Sequence, residues 1–323
     1  MSAAQLLADY NEAVKQLATI YNTNVANILK LKLKNAIKKN YLNNLKTQLK
    51  KDMAALKAKY DSDLLLLNKP AVTPTVRNKK ALLIGINYKG TSSQLNGCIN
   101  DINHVSDILS SKYAFNSITK ITDETTQKPT RDVILASFAQ FLASGNSGDL
   151  LFFSYSGHGS TTLDRNNNEK TGNDEMIIAS DLKGIVDDEL KSIIQTNLKK
   201  NVTLFALFDS CFSGTVLDLK YQYLDSLAND ASTVNNNETE TIGNVIMISG
   251  CSDKQTSADA YVDNKYQGAM TWAFISVIST LTTPPSWRDL LVKMRDKLKT
   301  SQFTQLPQLS SGCFIDINNV VCF

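Results

Sequence analysis

Two side chains in this sequence are suited by type and placement to acyl-transfer chemistry. His158 sits in Tyr155-Ser-Gly-His-Gly159 and Cys211 in Asp209-Ser-Cys-Phe-Ser-Gly214, 53 residues apart. Each segment follows a short apolar run, 149–154 before the first and 202–208 before the second, of the kind that forms a strand buried on both faces. Functional groups of an open parallel sheet collect in the crevice beyond the carboxyl ends of its strands. A His and a Cys that each leave such an end emerge side by side. A thiol is a weak nucleophile at neutral pH until a neighbouring imidazole or a helix N-terminus favours the thiolate. Gly157 and Gly159 let the backbone approach a substrate and turn an N–H towards it, and Gly214 permits a tight turn after the nucleophile. A lone Cys would be read as a small buried hydrophobe and a lone His as a hydrogen-bonded loop residue. The pair, on two strand ends in Gly-rich turns, points to cysteine-type catalysis.

The elements that must position this pair are legible as a change of period. Further apolar runs at 81–86, 176–179 and 245–249 read as strands, and 98–111, 130–144 and 187–198 read as helices between them. Alternating strand and helix predicts an α/β architecture with a mainly parallel central sheet and helices on both faces. Before residue 80 the pattern is helical. Leu7, Tyr10, Val14, Leu17, Tyr21, Val25, Ile28 and Leu31 alternate by three and four, and the stripe resumes through Ile37, Tyr41, Leu45 and Leu49. Asn40, Asn43 and Asn44 mark either the turn of a helical hairpin or a weak point in one long helix. Residues 68–77 hold two Pro among small polar residues and read as an extended linker. The segment 226–241 is expected to be too polar to pack, a mobile loop or processing linker.

Composition bounds the rest. A chain of 323 residues with 42% hydrophobic and 20% charged residues is ordinary for a globular protein, which excludes disordered and fibrous classes. The Cys at 98, 211, 251, 313 and 322 include no Cys-x-x-Cys pair, and there are only two His, so structural zinc is excluded. With no basic-then-apolar leader and no long apolar window, a soluble, intracellular, cytoplasmic protein without a transmembrane segment is expected. Net charge is +10 over residues 1–80 and −7 over the remainder. The Lys-rich run 30–59 has the composition of a nucleic-acid or anionic-membrane ligand, but the plainer reading is a solvated helix face. No nucleic-acid partner is expected.

The two motifs together resemble the caspase-like cysteine peptidases of clan CD and, within them, the metacaspases. Leu83-Ile-Gly-Ile-Asn-Tyr88, Leu95-Asn-Gly-Cys-Ile-Asn-Asp101, Ile185-Val-Asp-Asp-Glu189, Ser213-Gly-Thr-Val-Leu-Asp-Leu219 and Ser249-Gly-Cys-Ser-Asp-Lys-Gln-Thr-Ser-Ala-Asp259 support the likeness, which spans roughly 80–323. It implies a caspase-like fold behind an α-helical N-terminal region: 1–68 the helical region, 69–78 a linker, and 79–323 the peptidase domain. That domain would divide into a large-subunit-like part at 79–222, a mobile linker at 223–242 and a small-subunit-like part at 243–323. Caspases carry Gln-Ala-Cys where this chain has Asp209-Ser-Cys211.

By this resemblance Cys211 is the nucleophile and His158 the general acid and base, with no third member assigned, and the N–H groups of Gly159 and Cys211 form the oxyanion hole. Asp101 and Asp209, with Ser156 and Cys98 beside them, would line the pocket for the residue before the scissile bond. Two carboxylates in a concavity select a guanidinium or ammonium, which implies protein or peptide substrates cleaved after Arg or Lys. Asp174, Asp187, Asp188 and Asp218 match calcium-binding positions of the family, and Ca²⁺ favours such hard oxygen ligands. A monomer is implied. Phe212 follows the nucleophile where many members have His, the short connection 219–243 is that of type I members, and a basic helical segment replaces the usual Pro/Gln-rich or zinc-finger prodomain. That segment could act as a pro-region attracted to the acidic remainder, with Lys79, Lys80 and Lys220 as candidate self-processing sites. The alternative class is a non-proteolytic caspase-fold scaffold whose basic helices bind a partner.

Overall fold

The computed structural model describes residues 3–67, 78–163, 173–211, 214, 216–223, 233–235, 238–251, 260–262 and 265–321. Chain contacts divide into two units, Met1–Pro74 and Thr75–Phe323. The linker expected at 69–78 lies, but for Asn78, outside the described residues, as does Phe212.

The first unit is a helical hairpin of α1 (Ala3–Lys30) and α2 (Asn35–Leu67). The chain reverses at 31–34 rather than at Asn40, Asn43 or Asn44, all three of which lie inside α2. Asn disfavours helix only weakly, and pairing along the two helices overrides it. Tyr10 meets Tyr60 at 4.6 Å between ring centroids, so the helices run antiparallel. Lys38 Nζ donates to the Leu29 carbonyl at 2.8 Å and caps the end of α1. The half-buried stripe of α2 runs through Leu42, Leu45, Leu49, Met53, Leu56 and Tyr60. Ile37 and Tyr41, expected in that stripe, are exposed.

The second unit follows the order β1 (Lys79–Gly85), α3 (Cys98–Ser111), β2 (Ser117–Thr122), α4 (Arg131–Ala143), β3 (Leu150–Ser156), β4 (Gly159–Leu163), β5 (Asn173–Ile178), β6 (Gly184–Val186), α5 (Asp187–Asn197) and β7 (Thr203–Asp209). It continues through β8 (Tyr221–Tyr223), β9 (Thr233–Val234), β10 (Asn244–Cys251), β11 (Ala260–Val262), β12 (Lys265–Gln267), α6 (Ala269–Thr280), α7 (Trp287–Thr300) and β13 (Leu306–Ser311). The central sheet has the order β2-β1-β3-β7-β10-β13-β8-β9. Its first five strands are parallel, and β13 is antiparallel to both β10 and β8. The sheet is therefore mixed, with a parallel core and an antiparallel edge.

Strand side chains alternate between two hydrophobic layers. Leu82, Ile84, Phe153 and Phe208 pack with Phe138 of α4 and Leu190 of α5. Ala81, Leu83, Phe152 and Phe205 pack with Val105 of α3, Phe274 of α6 and Met294 of α7. Burial on both faces is why these strands read as unbroken apolar runs.

Two readings are corrected. The run 176–179 does enter a strand but not one of the central sheet: β5 belongs to a separate antiparallel sheet, β4-β5-β6, and only its Asp174 and Ile177 are buried. The polar segment before β10 does pack in part. β9 pairs with β8, and Glu238 is buried against Lys191 of α5 as an ion pair, so charge pairing replaces apolar burial there. Lys79 and Lys80, named as candidate processing sites, open β1, which pairs with strands on both sides, and their ammonium groups donate to the Tyr113 and Ser144 carbonyls.

Candidate active site

Adjacent strands β3 and β7 pair Ser156 with Asp209, and Gly157 N donates to Asp209 O at 3.3 Å. His158 and Cys211 each lie two residues past that pair, so both chains leave the sheet together. Their loops touch: a Cβ built on Gly159 would stand 1.9 Å from the Cys211 carbonyl oxygen and 3.3 Å from its nitrogen. Glycine is therefore required at 159 by close approach of the nucleophile's own backbone.

His158 is held on every side. Its Nε2 lies 2.8 Å from the Ser93 carbonyl oxygen. A carbonyl only accepts, so Nε2 carries a proton, and in the neutral ring Nδ1 is the nitrogen able to take one from a thiol. The His158 N–H donates to Tyr88 Oη at 2.8 Å, Tyr155 Oη donates to the His158 carbonyl at 2.8 Å, and Ile178 N donates to that carbonyl at 3.0 Å. The two phenol oxygens are 3.0 Å apart. Burial pushes the ionisation of both tyrosines well up, so they serve as neutral hydrogen-bonding groups.

The bond from Ile178 to His158 makes 158 and 178 a hydrogen-bonded antiparallel pair. Gly159, opposite Ile177, occupies the next, non-hydrogen-bonded position. Its N–H is thus directed away from β5.

Ser156 and Asp209 turn to the opposite face, towards α3 and α6. Asp101, in the first turn of α3, accepts from Ser156 Oγ at 2.6 Å and from Gly268 N at 2.8 Å. Asp209 accepts from Thr271 N at 2.8 Å. Gly268 and Thr271 are the N-cap and N3 positions of α6, so both carboxylates sit where a helix offers unpaired N–H groups and the positive end of its dipole. A Cβ on Gly268 would lie 2.1 Å from Asp209 Oδ2 and 2.7 Å from Asp101 Oδ2, which shows how tightly the two acids converge. Both are buried, and among the described residues Asp209 Oδ1 has no hydrogen-bond partner. Burial, partly offset by Thr271, pushes the Asp209 carboxyl up to about 6. Cys98 is buried in the core cluster that holds Tyr88 and Tyr155.

Carboxylate oxygens of Asp174, Asp187 and Asp188 lie within 4.8 Å of one another, the first two buried. Asp187 accepts from Glu175 N at 2.7 Å and from Asp188 N at 2.8 Å. Placement of Asp187, Asp188 and Glu189 in the first turn of α5 suits the helix dipole. Asp218, buried and held at φ 45°, is not among these mutually close oxygens. The three that converge are hard, anionic donors of the kind that hold Ca²⁺.

The sequence reading did not name Ser93, Gly268 or Thr271, and gave Asn87 and Tyr88, both in a quoted motif, no role. Asn87 Oδ1 accepts from Cys98 N at 3.0 Å and from Ile99 N at 3.4 Å, capping α3 from a preceding loop and so fixing Asp101. A Gly just before an apolar helical run is a readable cap signal at 268. Which carboxylates it faces follows only from the strand order.

A Cys and a His on neighbouring strand ends of an α/β sheet, above a pair of buried acids, define a caspase-like cysteine peptidase architecture. The metacaspase peptidase C14 domain model matches residues 79–220. Metacaspase-1 of Kluyveromyces lactis is 36% identical over 74% of this chain and 67% of its own, and metacaspase-1A of Neurospora crassa is 37% identical over 74% and 64%. A solved structure from Geobacter sulfurreducens, 22% identical, shares the fold at a TM-score of 0.55, covering 74% of this chain and 95% of its own. The chain belongs to the metacaspase family of cysteine peptidases. Among the described residues, no helix is long and apolar enough to cross a membrane.

Proposed function

We propose that this protein is a calcium-stimulated endopeptidase that cleaves proteins after Arg or Lys through a Cys211–His158 dyad. The observation that carries the specificity is the convergence of Asp101 and Asp209 on Gly268, with Asp209 Oδ1 buried and, among the described residues, unpartnered. An unpaired buried acceptor is unfavourable by roughly 1–3 kcal/mol, more if charged, and a substrate guanidinium or ammonium supplies the missing donor and the opposite charge. A substrate Asp would add a third carboxylate.

The chemistry follows from the held histidine. The Cys211 thiol gives its proton to His158, and the sulfur attacks the scissile carbonyl carbon, placing the negative oxygen near the Gly159 and Cys211 N–H groups. As the C–N bond breaks, the imidazolium protonates the departing amine and a thioester remains. His158 then takes a proton from water, the hydroxide adds to the thioester, and collapse releases the acid and restores the thiol. The Ser93 carbonyl stabilises the imidazolium formed on the way.

Asp174, Asp187 and Asp188 would hold the calcium ion, other oxygens completing its shell. A bound Ca²⁺ there would offset two of the three negative charges of Asp174 on β5 and Asp187 and Asp188 at the start of α5. Self-processing on this reading has to use a basic residue other than Lys79 or Lys80, which are tied into the sheet.

Hydrolysis of matched fluorogenic peptides ending in Arg, Lys or Asp, with calcium or chelator, tests these points. The expected result is Arg and Lys cleavage that needs calcium and is abolished by Cys211→Ala. Cleavage after Asp, or activity surviving Cys211→Ala, contradicts it, and no cleavage of any peptide favours a scaffold role.

A further inference from the structure

The helical hairpin is polarised along its length. From residue 13 to residue 51 there are nine Lys and no Asp or Glu, while Asp9, Glu12, Asp52, Asp61 and Asp63 fall towards the ends of the chain segment. Because α1 and α2 run antiparallel, with Tyr10 against Tyr60, Asp9, Glu12, Asp61 and Asp63 gather towards the open end, Asp52 lies mid-way, and the turn at 31–34 carries only positive charge. The same turn exposes apolar side chains. Leu29, Leu31, Leu33, Ile37 and Tyr41 are between 38% and 55% exposed, interleaved with exposed Lys30, Lys32, Lys34 and Lys39. Of the rest of the α1 stripe, Tyr10, Val14, Leu17, Tyr21, Val25 and Ile28 are half-buried, while Leu7 is exposed singly near the other end of the hairpin, as is Ile20 off the stripe. The apolar residues at the tip are therefore surplus to hairpin packing.

We propose that the 29–41 tip of the hairpin docks on the surface of an anionic phospholipid bilayer. Lysines alone would suit any polyanion. Large apolar side chains alternating with them suit an interface in which leucines enter the acyl boundary while lysine stems extend to the headgroups. A nucleic acid would pair the ammonium groups and leave five apolar side chains in water. Four exposed lysines near a phosphatidylserine surface each strengthen binding by roughly fivefold, and salt weakens that part. The contact is peripheral, consistent with the absence of a membrane-crossing helix among the described residues. This inference does not rest on the peptidase reading.

Co-sedimentation of the full chain tests it, using vesicles of phosphatidylcholine alone, vesicles of phosphatidylcholine with phosphatidylserine, and single-stranded RNA as a competing polyanion. The expected result is binding to the phosphatidylserine vesicles that falls with salt and is not displaced by RNA. Lys32→Glu/Lys34→Glu should weaken it by at least about 25-fold, and Leu31→Glu/Leu33→Glu by about tenfold or more, with helical circular dichroism unchanged. Equal binding to neutral vesicles, no vesicle binding, RNA binding in preference to vesicles, or full binding by both folded variants would overturn the proposal.

Discussion

Asp209 both caps α6 and faces an unfilled acceptor position, and its protonation exposes the conflict. Its carboxyl is lifted from an ordinary 3.8 to about 6 by burial, so the folded chain binds this proton more readily than the unfolded one. The resulting penalty is fully present above about pH 6 and is relieved as pH falls from there towards 4. Asp209→Asn should therefore raise stability at neutral pH, by roughly 1–3 kcal/mol in thermal denaturation, while kcat/KM for Arg peptides falls about 100-fold or more. Loss of both, or of neither, contradicts the assignment. KM for Arg peptides should also rise as pH drops through about 6, measurable in a pH series. Tyr155→Phe keeps the ring but removes the hydroxyl that holds the His158 carbonyl. It should lower kcat by roughly ten- to 100-fold with KM little changed, and an equal effect on both would point to general loosening.

At the scale of elements, the strand ends carrying His158 and Cys211 were legible because apolar runs and Gly-rich turns are local signals. The partners of these residues were not. Asn87 caps a helix that starts eleven positions later, Gly268 meets acids from β7 and α3, and Ser93 orients His158 through a backbone carbonyl. Such roles depend on pairing across the sheet and leave no mark in side-chain pattern. β5 was misplaced for a related reason, since a short half-buried run looks the same in a small sheet as in a central one. The polar stretch before β10 was misread because charge pairing is invisible to hydropathy. Glu238→Ala strands Lys191 of α5, which is largely buried, and should destabilise the fold by roughly 2–4 kcal/mol. Chemical denaturation of this variant beside Lys191→Met/Glu238→Leu separates the two effects, since the double replacement should recover most of the loss.

For the whole molecule, the hydrophobic clusters of the peptidase unit are built from residues at or beyond 81. The two units also differ in charge, 12 Lys+Arg against 5 Asp+Glu (+7) in the helical hairpin unit 1–74 and 22 against 26 (−4) in the layered α/β unit 75–323. A chain comprising 75–323 should therefore fold cooperatively by itself, with a melting temperature within a few degrees of the full chain. Failure to melt as one transition would show that the hairpin completes the core. The division also separates two proposals, because chemistry is assigned to one unit and surface attachment to the other.

The central claim is that two buried carboxylates choose a cation before the scissile bond. The most direct measurement is kcat/KM for two peptides identical except for Arg or its neutral isostere citrulline at that position. A preference for Arg of about 100-fold or more, lost in Asp209→Asn, is the result this account predicts. Equal cleavage of the two peptides by the wild-type enzyme would contradict it.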